Sequence, residues 1–545
     1  MDHYGHSTTG RKTWGHGRSP TRHDAGEAAR PQEPVRLPTR ASGVTMSIMD
    51  ATHHEVLVVG GGFSGIGLGI KLREAGITDF AILEAAGGVG GVWRHNTYPG
   101  VAVDIPSTTY SYSFEPNPNW SRAFAPGGEL LAYAEHCADK YGVRPHFRFG
   151  TFVERAVFDT DANLWRVHTN RGVFSSRFLV GAVGPLDRPK DPDIAGLKDF
   201  RGKRIHTARW DHAHDLRGER VAVIGTGASA LQLIPKIARV VSQLHVYQRT
   251  PIWVAPKTDF AIPPGVRAMF RALPATQFMA RVATTVSTEV LMVLGVINYT
   301  RLPFLIRSAE RRCLRHLREQ VQDPVLREKL TPKYSFGCKR PSFSNSYLRT
   351  FNEPHVELVT DPIERITEHG IVTRDGRERS IDTLILATGF KVLELGATPA
   401  FPVVGPGGVE LGEHWHDNRF QNYQGLSVPE APNFWLMNGP YSVTGASWFS
   451  IIEANVRHIV RCLREARRRG ASRVVVKQRP HDAYTARMRT ALKHTIFANP
   501  GCAGSNSYYF DRHGDSPFVR PHSGLRLDWE SGHFPLDDYA YSTGS

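Results

Sequence analysis

Two separate segments of the chain run from a short apolar strand through a glycine-rich turn into an apolar helix. The strands begin at Val56 and Val221, and the turns and helix starts carry Gly60, Gly62, Ser64 and Gly65 in the first segment and Gly225, Thr226, Gly227, Ser229 and Ala230 in the second. Such glycines allow a tight turn and let the backbone approach a pyrophosphate at the helix N-terminus. One match of this kind is weak evidence, but two in the same context predict two dinucleotide sites.

The residue at the end of the next strand predicts which dinucleotide each site takes. Glu84 ends the strand that starts at Phe80, where a carboxylate can bind the diol of a ribose. Arg249 follows the strand 244–248, where a cation suits a 2′-phosphate. The first site is therefore predicted to bind FAD or NAD, and the second NADP. A chain that holds both is suited to passing a hydride from NADPH to a flavin.

Composition narrows the class of protein and of partner. The 545 residues suffice for two or three domains, and a hydrophobic content of 41% with 22% charged residues is ordinary for a globular protein. The net charge of +15 comes mostly from arginine, but the sequence has no nucleic-acid-binding module, so no nucleic-acid partner is expected. Weak attraction to an anionic membrane surface stays open as an alternative.

The cysteines indicate the cellular compartment, and the N-terminal residues indicate where the folded part of the chain begins. The five cysteines are scattered and odd in number, which predicts a reducing, cytoplasmic compartment, with neither a disulfide framework nor a metal site. Cys338 is expected to be a packed thiol. No secretory signal is visible, and residues 1–50 are predicted to be a disordered extension. Met46 and Met49 lie just before the first strand and are candidate translation starts.

The order of elements predicts an α/β protein with two Rossmann-like dinucleotide-binding domains. Residues 51–190 are assigned to the first part of the FAD-binding domain, in which 152–188 is expected to form a β-meander that returns to the first sheet. Residues 191–375 are assigned to the NADP-binding domain, with a helical insertion at about 263–332, where no strand pattern occurs. Residues 376–545 are assigned to the second part of the FAD-binding domain.

Two stretches have a less regular pattern. Residues 187–210 are broken by prolines and glycines and are predicted to be a linker. The apolar stretch 282–306 is interrupted by Glu289, Arg301 and Pro303, so it is too broken for a membrane span. Buried or substrate-facing helices are expected there, with interfacial membrane contact as the lesser alternative.

Three further segments carry residues suited to chemistry. The first holds Gly90, Gly91, Trp93, Tyr98, Pro99, Gly100 and Asp104, the second Phe200, Gly202, His206, Trp210 and Asp211, and the third Lys339, Arg340 and Pro341. Trp93 and Tyr98 can cover a flat ring system, although either alone suits a hydrophobic core equally well. An unpaired buried carboxylate costs roughly 2–7 kcal/mol, so Asp104 needs a partner, and Arg340 is the candidate.

These segments together resemble type I Baeyer–Villiger monooxygenases, a family of class B flavoprotein monooxygenases related to the flavin-containing monooxygenases. The second segment fills the family pattern F-x-G-x-x-x-H-x-x-x-W followed by Pro or Asp. The first segment fills the sister pattern [AG]-G-x-W-x-x-x-x-[FY]-P-[GM]-x-x-x-D. Flavin-containing monooxygenases carry Tyr or Phe at the position of Trp210. The resemblance extends from about residue 53 to the C-terminus.

The resemblance implies roles for individual residues. It places Ser64, Glu84, Trp93, Asp104, Tyr110 and Trp448 in the flavin site, with Gly60, Gly62, Gly65 and Gly91. It places Gly225, residues 226–232 (including Gln232), Arg249, Thr250 and Lys339 in the NADP site. Of these, Arg249 and Lys339 are implied to neutralise the 2′-phosphate. Ala230 replaces the third glycine of the second turn and narrows the approach of helix and strand.

The resemblance also implies catalytic and linker residues. Arg340 is the active-site arginine and Asp104 the carboxylate that orients it; an interdomain salt bridge is the alternative. His206 and Trp210 are linker residues that couple domain movement to cofactor position, with a direct chemical role for His206 as the alternative.

The implied reaction inserts one oxygen atom of O₂ next to a ketone carbonyl through a C4a-peroxyflavin and gives an ester or lactone. The expected substrate is a lipophilic ketone or thioether, because residues 282–306 are apolar. Oxidation of nitrogen or sulfur centres is one alternative. A flavoprotein reductase that takes electrons from NADPH without inserting oxygen is another.

Overall fold

A computed structural model describes residues 52–445 and 447–543. The first glycine turn follows a strand of a mixed eight-stranded sheet, which we call the first sheet. Strand Thr52–Val59 pairs in parallel with Phe80–Glu84 on one side and with Gly172–Gly181 on the other. Its remaining strands are Phe147–Phe149, Val153–Asp159, Leu164–Thr169, Val403–Val404 and Phe434–Leu436. The predicted N-terminal extension and both candidate start methionines lie outside the described residues.

The meander predicted over 152–188 is present. Strand Leu164–Thr169 lies antiparallel to Val153–Asp159 and to Gly172–Gly181, and the last of these returns to the first sheet. The strand Phe80–Glu84 is buried along its whole length, as expected for a strand covered on both faces.

The second glycine turn follows a strand of a parallel five-stranded sheet, which we call the second sheet. Its strands, in spatial order, are Val356–Val359, Gln243–Tyr247, Arg220–Ile224, Thr383–Leu386 and Lys203–His206. The second sheet therefore extends beyond residue 375, where the sequence analysis placed the end of that domain. The linker predicted over 187–210 also contains its edge strand, whose short, mostly polar pattern hid it.

The α/β fold class is confirmed, since parallel strands and helices alternate around both turns. Helices Phe63–Glu74 and Ala228–Ile237 follow the two turns, and Trp448–Arg469 packs against the first of them. The other longer helices outside the insertion are Gly127–Lys140, Leu411–Asn418, Gln478–Leu492 and Gly524–His533. One hydrophobic core surrounds Ile66 and Phe449, and another surrounds Val221 and Ile234.

The segment expected to be helical, 263–332, contains helices Pro264–Ala272, Pro274–Thr288, Glu289–Val293 (a π-helix), Leu294–Ile297, Pro303–Gln320 and Pro324–Leu330. Four of these begin on a proline, whose fixed φ and missing N–H suit the first helical position. We call this segment the insertion helices. None of the helices in the described ranges combines the length and hydropathy needed to cross a bilayer.

Short elements complete the architecture. The small strands are Val254–Ala255 with Ser342–Phe343, Ile363–Ile366 with Gly370–Thr373 and Glu378–Ser380, and Arg473–Val476 with Tyr539–Ser542. The short helices are Val92–His95, Ser107–Thr109, Arg144–His146, Tyr347–Thr350, Pro406–Gly408, Ile496–Ala498, Pro500–Cys502 and Leu536–Asp538.

Cys338 and Cys502 form a disulfide, with 5.1 Å between their Cα atoms. The prediction of a chain without disulfides, in which Cys338 is a packed thiol, is therefore wrong. The two residues are 164 positions apart, and only the fold brings their segments together. Cys137, Cys313 and Cys462 are free and buried. Within the described residues, no group of three or more His, Cys, Asp or Glu side chains is arranged to hold a metal ion.

Candidate active site

The first glycine turn forms a cradle that other residues would fill. Gly60 has φ +115°, and a Cβ atom there would lie 2.8 Å from the carbonyl oxygen of Ala182. Gly62 is the N-cap of helix Phe63–Glu74 and offers no side chain to cap the first N–H groups. These N–H groups and the positive end of the helix dipole suit a pyrophosphate. A Cβ on Gly65 would collide with the carbonyl oxygen of Gly60, so the helix needs a glycine there.

Glu84 lies where the first sheet ends, directly beside this turn. Its Oε2 accepts a hydrogen bond from the backbone N–H of Gly61 at 2.6 Å, and its Oε1 accepts one from Ala86 at 2.7 Å. Burial raises the pKa of the carboxyl group despite these two donors. The carboxylate is therefore held rigidly at the position that the sequence analysis assigned to ribose binding.

Aromatic residues line the space beyond the first turn. The indole Nε1 of Trp93 donates to the hydroxyl of Tyr110 at 3.1 Å, and the two rings meet edge to face. Gly91, with φ +53°, approaches Gly62 so closely that a Cβ would lie 3.0 Å from the Cα of Gly62. Trp448 lines the same space. Trp93, Tyr110 and Trp448 thus give the cavity an aromatic lining next to the cradle.

The second glycine turn repeats the geometry of the first. Gly225 has φ +110°, and a Cβ there would collide with the carbonyl oxygen of Ala387. Gly227 is the N-cap of helix Ala228–Ile237 and likewise offers no capping side chain. Thr226 donates its hydroxyl to the carbonyl oxygen of Thr250 at 3.1 Å, which fixes the strand end that carries Arg249.

Gln232 connects the helix of the second turn to the segment that contains Tyr98 and Ala102. Its Nε2 donates to the carbonyl oxygen of Ala102, and its Oε1 accepts from the N–H of Ala102, both at 3.1 Å. The hydroxyl of Tyr98 donates to the same Oε1 at 3.2 Å. The amide of Gln232 thus fastens the second-turn helix to the segment that leads to Asp104. Its assignment to NADP stays a prediction.

Lys339 and Arg249 face the same part of the cavity. Burial and the neighbouring charge of Arg249 lower the pKa of the Lys339 ammonium to about 8. Neighbouring cations repel each other when no anion lies between them, and a bound phosphate would relieve the repulsion between Lys339 and Arg249. The pair therefore fits a 2′-phosphate beside the second turn.

Arg340 and Asp104 form a bidentate ion pair. Arg340 donates through Nε to Oδ2 at 2.7 Å and through Nη2 to Oδ1 at 2.9 Å. Burial opposes ionisation of Asp104, but the charge of Arg340 outweighs it and lowers the pKa of the carboxyl group. Asp104 in turn holds the pKa of the Arg340 guanidinium well above its usual value. The sequence prediction that these two residues are partners is confirmed as a contact.

Both turns and the ion pair open into one cavity of about 2260 Å³. A pocket for a single drug-sized ligand has about 300–1,000 Å³, so this cavity has room for two long cofactors and a small substrate. The insertion helices and their neighbours close one side of it with Thr284, Val293, Val296, Leu305, Val443 and Phe497.

His206 and Trp210 lie apart from this chemistry. Among the described residues that line the cavity, neither is present. His206 Nδ1 accepts from the N–H of Ala208 at 3.1 Å, and burial lowers the pKa of the imidazole. Trp210 packs against the core of the second sheet. His206 reaches the cavity only through its contacts with Thr388 and Phe390, which line it. Both the linker role of the two residues and the chemical alternative for His206 stay predictions.

Segment 499–510 also lies against the site, and no motif in the sequence predicts this. Asn506 donates to the hydroxyl of Thr250 at 2.8 Å, and Tyr508 and Tyr509 lie close enough to Arg340 to affect its pKa. Cys502 attaches the segment covalently beside Lys339 through the disulfide with Cys338. The cysteine adjacent to the Lys-Arg pair was the one signal that could have pointed to it.

Comparison with known proteins identifies the family. The family model for pyridine nucleotide-disulphide oxidoreductases matches residues 57–291. A Baeyer-Villiger monooxygenase of Streptomyces coelicolor is 39% identical over 490 residues, which cover 89% of this chain and 92% of that protein. A Baeyer-Villiger monooxygenase of Pseudomonas aeruginosa is 37% identical over 454 residues, or 83% of this chain and 85% of that protein.

Solved structures agree with these relatives. A steroid monooxygenase bound to NADP has a TM-score of 0.79 and 31% identity, and covers 90% of this chain and 100% of its own. A closed cyclohexanone monooxygenase has a TM-score of 0.80 and 27% identity with the same coverage. The resemblance inferred from the sequence motifs is thus confirmed, and the chain belongs to the Baeyer–Villiger monooxygenase family.

Proposed function

We propose that this protein is an FAD- and NADPH-dependent monooxygenase that inserts one oxygen atom of O₂ next to a ketone carbonyl to give an ester or lactone. The observation that carries the proposal is the bidentate Arg340–Asp104 pair, which lies in one cavity with two glycine cradles. A cradle next to an acidic strand end and another next to a basic one fit two different dinucleotides.

The chain offers a complete set of groups for both cofactors. For FAD, the turn at Gly60–Gly65 would hold the pyrophosphate, Glu84 the ribose, and the part of the cavity lined by Trp93, Tyr110 and Trp448 the flavin ring. For NADP, the turn at Gly225–Ala230 would hold the pyrophosphate, and the cations of the next strand end and of Lys339 the 2′-phosphate.

Bound FAD, once reduced by NADPH, supplies the activation of O₂ that no amino-acid side chain provides. Arg340 would then stabilise the negative charge that develops on oxygen while the ketone reacts. One positioned donor of this kind contributes about 3 kcal/mol to a transition state elsewhere. Asp104 uses two of the five N–H groups of the guanidinium and fixes its plane, which leaves three to face the reacting atoms.

The apolar wall of the cavity supports a lipophilic substrate. Val293, Val296 and Leu305 of the insertion helices face the same cavity as Arg340. Burial of apolar substrate surface against such a wall favours binding by roughly 25 cal/mol per Å². A lipophilic ketone is therefore the proposed substrate class, with a thioether as the second. A weak contact with a membrane surface is also proposed, since the outer side of the same helices is apolar.

The cytoplasmic location stays a prediction. The scattered cysteines predict it, whereas the disulfide between Cys338 and Cys502 is of a kind that a reducing compartment disfavours.

Purification with a visible spectrum tests the cofactors. A flavin spectrum that NADPH bleaches faster than NADH is expected, and a colourless protein that takes up no flavin would contradict the proposal. Incubation with a lipophilic ketone in air should then give a product one oxygen atom heavier by mass spectrometry. Rapid NADPH oxidation with no oxygenated product from either a ketone or a thioether would instead indicate the reductase alternative.

A further inference from the structure

The outer side of the insertion helices carries a row of exposed apolar side chains. Met279, Val282, Val286 and Val290 follow one another at intervals of three or four residues, which places them on one helical face. Met279 is 69% exposed and its neighbour Phe278 65%. We call these five residues the apolar row. Large exposed side chains that stand singly need no explanation, but a continuous row of them indicates a contact surface.

The opposite side of helix Pro274–Thr288 contacts the rest of the protein. Gln277 donates to the carbonyl oxygen of Asn117 at 2.7 Å, and Arg281 donates to that of Ser111 at 2.9 Å. Thr284 and Thr288 line the cavity. The helix is therefore held firmly on the protein by its inner side, and the apolar row is not a core face that lacks its packing.

Helix Gly524–His533 extends the exposed apolar surface. Glu289 is buried and accepts from the N–H of Gly524 at 2.8 Å, so this helix starts beside the end of the apolar row. Leu525 follows at once with 65% exposure, and Trp529, one helical turn on, is 61% exposed. Trp529 stacks on His533 and is otherwise exposed, and exposed tryptophans are typical of side chains at a lipid interface.

The next long insertion helix carries a row of arginines. Arg307, Arg311, Arg315 and Arg318 recur at helical spacing and are exposed, and none of them forms an ion pair with an acidic side chain of the described residues. Over residues 264–320 the sequence has nine arginines and three glutamates, and of these arginines Arg281 belongs to the inner side and Arg312 lines the cavity. Two of the glutamates, Glu289 and Glu310, are bonded to backbone N–H groups at 2.8 and 2.9 Å. The charge of this surface is therefore strongly positive.

We propose that the insertion helices seat this protein on an anionic phospholipid bilayer, with the apolar row in the headgroup region and the arginine row against the lipid phosphates. Apolar side chains on one helix and unpaired cations on the next are the two features that interfacial binding requires. The positive charge argues against a second copy as the occupant, because two such surfaces would repel each other.

If the proposed function holds, this surface also determines how a lipophilic substrate reaches the cavity. The insertion helices separate the apolar row from the cavity by the thickness of one helix, because Thr284 and Val293 face inward while Val286 and Val290 face outward. A lipophilic ketone dissolved in the bilayer would therefore be concentrated next to the wall of the cavity.

Sedimentation of the FAD-loaded full-length protein with sucrose-filled vesicles tests the proposal. The protein should pellet with phosphatidylcholine–phosphatidylglycerol vesicles and stay in solution with phosphatidylcholine alone, and salt should weaken binding. Phe278→Ser/Met279→Ser and Arg307→Gln/Arg311→Gln should each weaken partitioning on the order of ten-fold or more.

Matched controls lie on the first sheet, where no contact is proposed. Phe152 is 51% exposed, and Phe152→Ser should bind vesicles like the wild type. Arg155→Gln/Arg177→Gln removes the same two charges from exposed positions and should likewise bind normally. Equal losses in test and control variants would show a mere effect of net charge and overturn the proposal. So would a wild type that binds neither vesicle.

Two further readouts separate this proposal from others. Sedimentation velocity should show the same mass for the wild type and Phe278→Ser/Met279→Ser; a wild-type dimer that this variant abolishes would make the surface a self-association site. None of the substituted residues lines the cavity, so turnover of a water-soluble ketone should be unchanged. Vesicle binding without any oxygenation would leave the surface standing and contradict the proposed function instead.

Discussion

Arg340 donates to both carboxylate oxygens of Asp104, at 2.7 and 2.9 Å, although the two residues are 236 positions apart in the sequence. Asp104 follows the first nucleotide turn, whereas Arg340 precedes the short strand Ser342–Phe343. The pair thus joins the two parts of the chain that carry the cofactor cradles. Such a fork-to-fork contact fixes both the position and the plane of the guanidinium.

Replacing Arg340 should separate the two half-reactions. In Arg340→Ala, NADPH should still bleach the flavin, since the guanidinium pairs with Asp104 and not with the second turn. Ester formation should fall on the order of 100-fold or more, because the developing charge on oxygen loses its donor. Stopped-flow reduction and product mass spectrometry measure the two steps. Normal ester yields would show that the pair is only an interdomain salt bridge.

Arg340→Lys is the control for this prediction. It keeps the charge but cannot form the fork with Asp104, so it should be intermediate between the alanine variant and the wild type.

Much of this site could be predicted because its signals are local. Gly60 and Gly225 need positive φ values, and the residues that a turn requires are visible in a single segment. The partner of Asp104 could also be inferred, because a carboxylate in an apolar stretch needs a cationic partner and Lys339–Arg340 is a compact cationic motif.

The features that could not be predicted from the sequence depend on contacts between segments that are distant in the chain. The disulfide joins cysteines 164 positions apart, and no spacing rule connects them. Strand Lys203–His206 has a single fully buried residue, Ile205, so its pattern was too weak to distinguish an edge strand from a linker. Segment 499–510 has no regular structure beyond the short helix Pro500–Cys502, and only its contacts with Thr250 and Arg340 reveal its importance.

Affinity for NADPH should fall as the pH rises through about 8. Burial and Arg249 lower the pKa of Lys339 to about 8, so its ammonium is charged below that pH and neutral above it. A neutral amine attracts a 2′-phosphate less, so the KM for NADPH should rise on the alkaline side. Lys339→Arg keeps its charge over this range and should flatten the profile. An unchanged alkaline rise in that variant would assign the titration to another group.

Arg249 should select NADPH over NADH. In Arg249→Ala the KM for NADPH should rise about 10- to 100-fold, which corresponds to losing one charge-assisted contact of roughly 1.5–3 kcal/mol. The KM for NADH should change little, because that cofactor has no 2′-phosphate. Steady-state kinetics with both cofactors measures the ratio. Arg239→Ala, at an exposed position away from the cavity, is the matched control.

The Cys338–Cys502 disulfide should stabilise both the fold and the NADP site. It anchors the segment whose Asn506 donates to Thr250, so breaking it should loosen that segment and raise the KM for NADPH. Loss of a cross-link between distant residues typically costs about 2–4 kcal/mol, so the thermal midpoint of Cys338→Ser/Cys502→Ser should fall. A mild reductant should lower the wild-type midpoint towards that of the variant and leave the variant itself unchanged. If mass spectrometry shows the bond reduced while the wild-type midpoint and KM stay constant, the disulfide has no part in holding the segment.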